Sequence, residues 1–311
     1  MRIAVLGAGG IGGYYGALLA KAGHDVVFVA RGAHLEALQR RGLTVRTPEG
    51  ELTVPVTAVA QARGLEPAEI VLVCVKAYDT EAAARSIAAL VARDTVVLTV
   101  QNGLDRVETI ASTLGAGTGG VLAAAVYAAL QLAEPGVVVR TGAEARLVFG
   151  ERGGAATGRT DRLAAAFRQS GIVHHVSADI DRVLWEKFLF IAGIGGVTAL
   201  ARVGIGAIRE SAEGRALLAA SCAEIVAIAR AEGAPLRPES AEATLAQAAI
   251  LPGGWRSSMA RDLEDGRRLE VDALSGAVVQ RGRRSGVLTP VHQTITACLS
   301  LQQPPAAATP A

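Results

Sequence analysis

A glycine-rich segment close to the N-terminus sets the strictest limit on the folds open to this chain. Gly7-Ala8-Gly9-Gly10-Ile11-Gly12 follows a short β-branched run and opens an alanine-rich helical stretch. In a G-x-G-x-x-G pattern between a strand and a helix, the first glycine permits a tight turn and the second lets the backbone approach a pyrophosphate. The third lets the helix pack closely on the strand. The alternative is a flexible glycine-rich turn, but the flanking strand and helix favour a dinucleotide-binding unit.

Length and charge define the class of protein further. The 311 residues exceed what one hydrophobic core usually serves, so we expect two domains. A net charge of +2 provides no positive field for a nucleic-acid backbone, which argues against a nucleic-acid partner. The longest apolar runs, near 121–130 and 188–200, fall short of the roughly 18–20 residues that cross a bilayer, so no membrane helix is predicted.

The cysteines and the N-terminus bear on the cellular compartment. Cys74, Cys222 and Cys298 are few, odd in number and far apart, without the spacing of a zinc site. They are typical of small buried residues in a reducing compartment. The N-terminus lacks the apolar stretch and cleavage site of a signal peptide. We therefore expect a cytoplasmic protein without a metal.

The first half of the chain alternates β-branched runs with helical stretches, which predicts an α/β fold with a parallel sheet. Its predicted strands are 3–6, 26–29, 70–75 and 96–100, its predicted helices 10–22, 80–90 and 104–114, and its predicted hairpin 43–46 with 51–59. Strands at 137–140, 147–149 and 173–177 lack this alternation and predict a more antiparallel end of the sheet. We place a Rossmann-type dinucleotide-binding domain at 1–177.

Helical patterns dominate the rest of the chain. They cover 181–192, 213–232, 238–249, a stretch after Trp255 and 271–281. This pattern predicts an all-helical C-terminal domain over 178–301. The segment 302–311, with three prolines among small residues, cannot bury enough surface to offset its ordering entropy, so we expect a disordered tail.

Three polar residues follow predicted strands at the edge where ligands bind in open α/β sheets. Arg31 stands where an NAD enzyme usually carries an acidic residue, and its guanidinium suits a 2′-phosphate, which predicts NADP. Lys76 and Asn102 are candidates for nicotinamide and substrate contacts. The alternatives are a solvated surface arginine, a surface charge at a helix start for Lys76, and an Asn-Gly turn for Asn102.

A single lysine lies in an apolar helical stretch of the second domain. Burial among its neighbours would lower the pKa of Lys187 and let it donate a proton when a ketone is reduced. The alternative is a lysine that extends into water. Farther on, Ser257, Ser258 and Glu270 could bind a polar substrate, although Ser257 could equally be a helix cap and Glu270 a surface acid.

The chain resembles the ketopantoate reductase (2-dehydropantoate 2-reductase) family over nearly its whole length. The resemblance lies in GAGGIG, Arg31, VKAYD, QNG, LWEKF and SSMxxDLxxGRxxEVD. The resemblance implies a Rossmann domain joined to a helical domain, an active site in the cleft, and a homodimer. It also implies NADPH-dependent reduction of a 2-oxo acid to a D-2-hydroxy acid, with ketopantoate reduction for pantothenate biosynthesis as the expected reaction.

Residue roles follow from the same resemblance. It assigns cofactor binding to Gly7, Ala8, Gly9, Gly10, Ile11, Gly12, Arg31, Lys76, Asn102, Ala129 and Glu270. It assigns substrate binding to Asn102, Lys187 and Ser258. Catalysis falls to Lys187 as the proton donor and to Glu270 at the junction of cofactor and substrate.

The chain departs from the family at three positions. Family members carry asparagines where this chain has Ile191, Gly195 and Ile205. Each lost hydrogen bond to substrate would cost roughly 1–3 kcal/mol unless another group replaces it. One alternative is therefore a paralogue that reduces a more apolar 2-oxo acid. Another, from a different class, is a dinucleotide sensor without chemistry, for which Lys187 and Glu270 would have no use.

Overall fold

The structure, a computed structural model, describes residues 1–115 and 120–304. The chain divides into two compact units, Met1–Val183 and Leu184–Ala311. The division falls shortly after the predicted boundary at 177, within the first helix that follows it.

The first unit contains a ten-stranded sheet. Its strands are β1 (Arg2–Leu6), β2 (Asp25–Val29), β3 (Leu43–Thr47), β4 (Gly50–Val54), β5 (Thr57–Val59), β6 (Ile70–Val73), β7 (Val96–Thr99), β8 (Val121–Glu134), β9 (Val137–Gly150) and β10 (Val173–Val176). Their order is β4-β3-β9-β8-β7-β6-β1-β2-β5, with β10 paired to β9. The helices of this unit are α1 (Gly10–Lys21), α2 (Gly32–Arg41), α3 (Thr80–Ser86), α4 (Arg106–Leu114) and α5 (Gly158–Gln169), with 3₁₀ turns at Ala77–Asp79 and Ala88–Leu90.

The central strands are buried on both faces. Successive side chains of a strand point to opposite sides, so Ile3 and Val5 of β1 enter one hydrophobic cluster while Ala4 and Leu6 enter the other. All four residues of β6 are buried. This explains why the central strands have continuous apolar sequences rather than alternating ones.

Hydrogen-bond register aligns the carboxyl ends of four strands. Leu6 of β1 pairs with Val29 of β2 on one side and with Val73 of β6 on the other, and Val73 pairs with Thr99 of β7. All these pairs are parallel. Because β2 and β6 flank β1 on opposite sides, the strand order reverses at β1, which is where open α/β sheets bind their ligands.

The predicted parallel α/β sheet and the hairpin of β3 and β4 are confirmed. The prediction that 51–59 forms one strand is wrong, because the chain leaves β4 at Pro55 and β5 instead pairs in parallel with β2. The segments 137–140 and 147–149 belong to one long strand, β9, paired antiparallel with β8. Three elements, β8, α2 and α5, were not predicted from the sequence. The alanine-rich apolar run of β8 lacks a strand's alternation.

The second unit is helical, as predicted. After α6 (Ile180–Phe188), which crosses the division, come a π-helical segment (Leu189–Ile194), α7 (Gly195–Ala201), α8 (Ile205–Glu210), α9 (Ala212–Ala231), α10 (Ser240–Ala249), α11 (Ser258–Glu264), α12 (Ser275–Ser285) and α13 (Pro290–Ser300). The helix predicted at 271–281 begins only at Ser275, because residues 271–274 form a turn.

Two sequence predictions need adjustment here. Ile180–Ala201 runs on as 22 helical residues, the one described segment long and apolar enough to cross a membrane, although 67% of its apolar window is buried in the structure, as in a core helix. Residues 305–311 of the predicted disordered tail lie outside the described residues. Gln302 and Gln303 are described, and their side chains accept hydrogen bonds from Arg202 and from the backbone of Leu269.

Candidate functional site

The glycine loop between β1 and α1 has the geometry that its sequence predicts. Gly7 adopts a φ of 93°, and a Cβ there would lie 2.9 Å from the Val75 backbone nitrogen. A Cβ on Gly12 would lie 2.0 Å from the Gly7 carbonyl oxygen. Both positions therefore require glycine, the first for its backbone conformation and the second for the close packing of α1 on the loop.

The start of α1 can accept an anion. Gly9 caps the helix without a side-chain hydrogen bond, and a Cβ on Gly9 would meet no atom within 4 Å. The space beside Gly9 and the backbone N–H groups of the first turn fit a pyrophosphate. Gly10 packs against the Leu130 backbone of β8, which brings the half-buried Ala129 near the loop. The side chains of Ala8 and Ile11 pack in and against the hydrophobic core, respectively.

The other predicted cofactor residues of this unit follow the aligned strand ends. Arg31 is exposed, two residues after β2, and adopts an extended backbone as the residue that precedes α2. Lys76 is half-buried in the segment between β6 and the first 3₁₀ turn. Asn102 is half-buried three residues after β7. Since β1, β2, β6 and β7 end at the same edge, the structure brings these side chains and the glycine loop to one edge of the sheet.

Gln101 connects the segments that carry Lys76 and Asn102. Its amide nitrogen donates to the Val75 carbonyl and to the Thr80 hydroxyl, both at 2.9 Å. Its amide oxygen accepts a hydrogen bond from the Thr99 hydroxyl at 3.1 Å. The side chain is buried, so these bonds fix the two loops to each other. The QNG motif contains Gln101, but no local pattern in the sequence indicates this role for its side chain.

In the second unit, burial lowers the pKa of Lys187 to about 8, and the Glu270 carboxylate opposes this shift. The lysine is half-buried on α6 among apolar neighbours that include Trp185 and Phe188. Glu270 is only 7% exposed, so the alternative of a surface acid is wrong. The structure thus places an ammonium and a carboxylate together in a poorly hydrated environment, where an ammonium can act as an acid near neutral pH.

The helix after Lys187 widens into a π-helical segment, a feature frequent at functional sites. Gly195 follows this segment, and a Cβ there would lie 3.1 Å from the Ser257 Cβ. The Ser257 hydroxyl donates to the Gly195 carbonyl at 2.9 Å, and the Thr198 hydroxyl oxygen lies 3.1 Å from the Ser257 hydroxyl oxygen. The loop that carries Ser257 therefore occupies the space into which a larger side chain at Gly195 would extend.

Ser257 and Ser258 have different environments. The Ser257 hydroxyl accepts the Ala260 N–H at 3.1 Å, so the interpretation of Ser257 as a helix cap is confirmed. Ser258 is exposed at the first position of α11, where its hydroxyl is accessible to a ligand.

The positions of the other two expected asparagines carry isoleucines. Ile205 is fully buried, and its N–H donates to the Trp255 carbonyl at 3.0 Å. Phe190, the neighbour of Ile191, packs edge-on against the Trp255 ring with centroids 5.6 Å apart. Trp255 therefore brings an aromatic surface to this part of the helical unit.

Comparisons with known proteins give matches over nearly the whole chain. Family models described as ketopantoate reductase PanE/ApbA and its C-terminal domain match residues 3–154 and 179–303. A 2-dehydropantoate 2-reductase of Halobacterium salinarum is 36% identical, the match covering 97% of this chain and 99% of the relative. A crystal structure of a PanE/ApbA family ketopantoate reductase from Ralstonia eutropha superposes with a TM-score of 0.89 at 33% identity, covering 97% and 98% of the two chains.

A structure of D-mandelate dehydrogenase with NADH and anilino(oxo)acetate is also similar. Its TM-score is 0.87, with 97% of this chain and 98% of that chain covered. At 22% identity, this likeness shows the fold alone.

Replacing Gln101 with leucine should lower the free energy of unfolding by about 1–3 kcal/mol, because the buried Thr80 and Thr99 hydroxyls and the Val75 carbonyl each lose one hydrogen bond. Urea denaturation measures this change. The matched substitution at exposed Gln61 should stay within about 0.5 kcal/mol of the unsubstituted protein. Equal stability of the two variants would show that the Gln101 bonds do not hold the loops.

Proposed function

The chain belongs to the ketopantoate reductase family, and on that premise we propose that it reduces a 2-oxo acid, 2-dehydropantoate (ketopantoate), to the D-2-hydroxy acid with NADPH. The observation that carries the proposal is the pairing of buried Glu270 with Lys187, whose pKa burial lowers to about 8. A protein that only binds a dinucleotide needs no such acid. Desolvating both groups costs stability, which also disfavours the sensor alternative.

In this proposal the first turn of α1 binds the cofactor pyrophosphate through its backbone N–H groups, in the space beside Gly9. Arg31 binds the 2′-phosphate that distinguishes NADPH from NADH. Lys76, Asn102 and Ala129 contact the nicotinamide half of the cofactor. When bound, the nicotinamide supplies the hydride that reaches the substrate's carbonyl carbon.

Lys187 donates its Nζ proton to the substrate's carbonyl oxygen as negative charge develops there. Because its ammonium is poorly hydrated, it also stabilises that charge more strongly than an exposed lysine would. The Glu270 carboxylate keeps the pKa of Lys187 from falling further, so that the lysine stays mainly protonated at neutral pH. The Ser258 hydroxyl and the Asn102 amide hold the polar groups of the substrate.

A second substrate class is favoured by the apolar side chains at Ile191 and Ile205 and by the Phe190–Trp255 pair. These groups offer no hydrogen bond to the terminal hydroxyl of ketopantoate. They suit a hydrocarbon or aryl side chain.

We also propose that the enzyme is a cytoplasmic homodimer. The three cysteines are free thiols, as expected in a reducing compartment. Dimerisation is supported by the family resemblance and by the high apolar content of the helical unit. Sedimentation equilibrium that gives the mass of one chain would contradict the dimer.

NADPH oxidation by the purified protein, followed at 340 nm with ketopantoate, 2-oxoisovalerate or phenylglyoxylate, tests the function. We expect the highest kcat/KM with ketopantoate. A higher value with either of the other acids would replace the proposed substrate by an apolar one. Tight NADPH binding without turnover of any 2-oxo acid would contradict the reductase itself.

Substituting Arg31 with aspartate should lower the preference for NADPH over NADH at least tenfold, because the carboxylate repels the 2′-phosphate and the guanidinium is lost. The ratio of the two kcat/KM values measures the preference. Arg40→Asp makes the same charge change on the same helix about 13 Å along its axis and should leave the ratio unchanged at 0.15 M salt. If Arg31→Asp retains the preference, another residue binds the 2′-phosphate.

Lys187→Ala should lower kcat by about 10²–10⁴-fold and leave the NADPH Kd nearly unchanged, because the side chain acts on the substrate. In the unsubstituted protein, turnover should fall as pH rises through about 8, where the Lys187 ammonium loses its proton. Steady-state rates from pH 6 to 10 measure this limb. Lys21→Ala, at an exposed lysine, is the control. A rate that increases above pH 8 would exclude Lys187 as the acid.

A further inference from the structure

One histidine joins the glycine loop to the turn between β8 and β9. His34 lies on α2, and its Nε2 is 2.8 Å from the carbonyl oxygen of Ala8 in the loop. Its Nδ1 is 2.9 Å from the backbone nitrogen of Gly136. The ring is half-buried and spans two segments that are far apart in sequence.

The two partners determine the tautomer of His34. A backbone N–H can only donate, so Nδ1 accepts from Gly136 and carries no proton. A carbonyl oxygen can only accept, so Nε2 must carry the proton and donate it to Ala8. Both bonds exist together only in the neutral ring protonated on Nε2. Burial lowers the pKa of His34, which favours this neutral form.

The Ala8 carbonyl sets the direction of the next N–H group. In a trans peptide the C=O and the following N–H point in opposite directions, and the described chain has no cis peptide. With the Ala8 oxygen held by His34 on α2, the Gly9 N–H points away from that helix. A Cβ on Gly13 would lie only 3.0 Å from the Ala8 oxygen, so α1 closes another side of this carbonyl.

Helix α2 is held in place by other contacts. Gln39 donates from its amide to the Ala58 carbonyl of β5 at 2.9 Å, and Arg41 donates to the Pro135 carbonyl at 3.1 Å. A Cβ on Gly136 would lie 3.1 Å from the Ala37 Cβ, which shows how closely the β8–β9 turn packs on α2. The imidazole is therefore not required to hold the helix, and its bond to Ala8 acts on the glycine loop.

We propose that His34 is a positioning residue for the dinucleotide: its Nε2–H holds the Ala8 carbonyl so that the Gly9 N–H is directed at the pyrophosphate. The inference rests on the proposed dinucleotide binding. The ring bonds two backbone groups, those of Ala8 and Gly136, so we expect the same effect on NADPH and NADH binding, unlike that of Arg31.

Two amide substitutions separate the two bonds of the ring. A glutamine amide reaches the position of Nε2 and can donate to Ala8, whereas an asparagine amide reaches only the position of Nδ1 and can accept from Gly136. His34→Gln should keep the Kd of both cofactors within about threefold of the unsubstituted protein. His34→Asn and His34→Ala should raise both Kd values about tenfold, which is 1.4 kcal/mol, with kcat at saturating cofactor unchanged. Isothermal titration of the full chain measures the Kd values.

Hydrogen exchange without cofactor provides an independent readout. The Gly13 N–H donates to the Gly9 carbonyl at 2.7 Å and should exchange about tenfold faster in His34→Asn and His34→Ala, but not in His34→Gln. His175→Ala, at an exposed histidine of β10, is the matched control. Thermal melts verify that each variant is folded; should His34→Ala fail to fold, the pair of amide variants decides.

Three results would each overturn the proposal. The first is unchanged cofactor affinity in His34→Asn. The others are weaker cofactor binding in His34→Gln with normal binding in His34→Asn, and a weaker affinity for NADPH alone. If the unsubstituted protein binds neither cofactor, the proposed function fails on its own. The exchange of the Gly13 amide then still decides whether His34 orders the loop.

Discussion

The parallel hydrogen-bond register of β2, β1, β6 and β7 is the constraint on which the candidate cofactor site depends. It places Val29, Leu6, Val73 and Thr99 at one level across the sheet. The candidate cofactor groups follow these strand ends within three residues: Arg31 after β2, the glycine loop after β1, Lys76 after β6 and Asn102 after β7. A slip of one residue in any pair would turn its buried side chains to the opposite face. Since each face carries its own hydrophobic core, such a slip would move side chains packed in one core into the other, so the close packing of the two cores holds the register and therefore the site.

In the helical unit, close packing at glycines positions the elements relative to one another. Gly193, Gly195 and Gly196 permit near contact with Cys222, Ser257 and Ser275, respectively. These contacts bring the helical segment after α6 close to the elements that carry Cys222, Ser257 and Ser275. Lys187 lies just before this segment, and its own burial lowers its pKa.

Local patterns were sufficient to predict the alternating strands and helices, the hairpin and the glycine loop, because each depends on neighbouring residues. The spacing around Lys187 left its role open, and the family resemblance assigned it. Patterns failed where pairing over long distances decides the structure. The alanine-rich run that forms β8 becomes a strand through its pairing with β7 and β9. Glu270 has the sequence context of a surface acid, and only the tertiary packing buries it near Lys187. Gln101 stood inside a recognised motif, but its partners come from the segment after β6, from β7 and from α3, which are separated in the sequence.

Gln101 and His34 show how loops with simple side chains can be held at this edge of the sheet. Both residues hold their loops partly through backbone carbonyls, those of Val75 and Ala8, which any residue at those positions would present. The loop sequence must then supply only small size and permitted φ values, as at Gly7 and Gly12. Direction comes from a single polar side chain on a neighbouring element. Glycines allow the backbone of such a loop many conformations. The hydrogen bond from His34 on α2 to the Ala8 carbonyl restricts one of its peptides before a ligand binds, which lowers the entropy cost of binding.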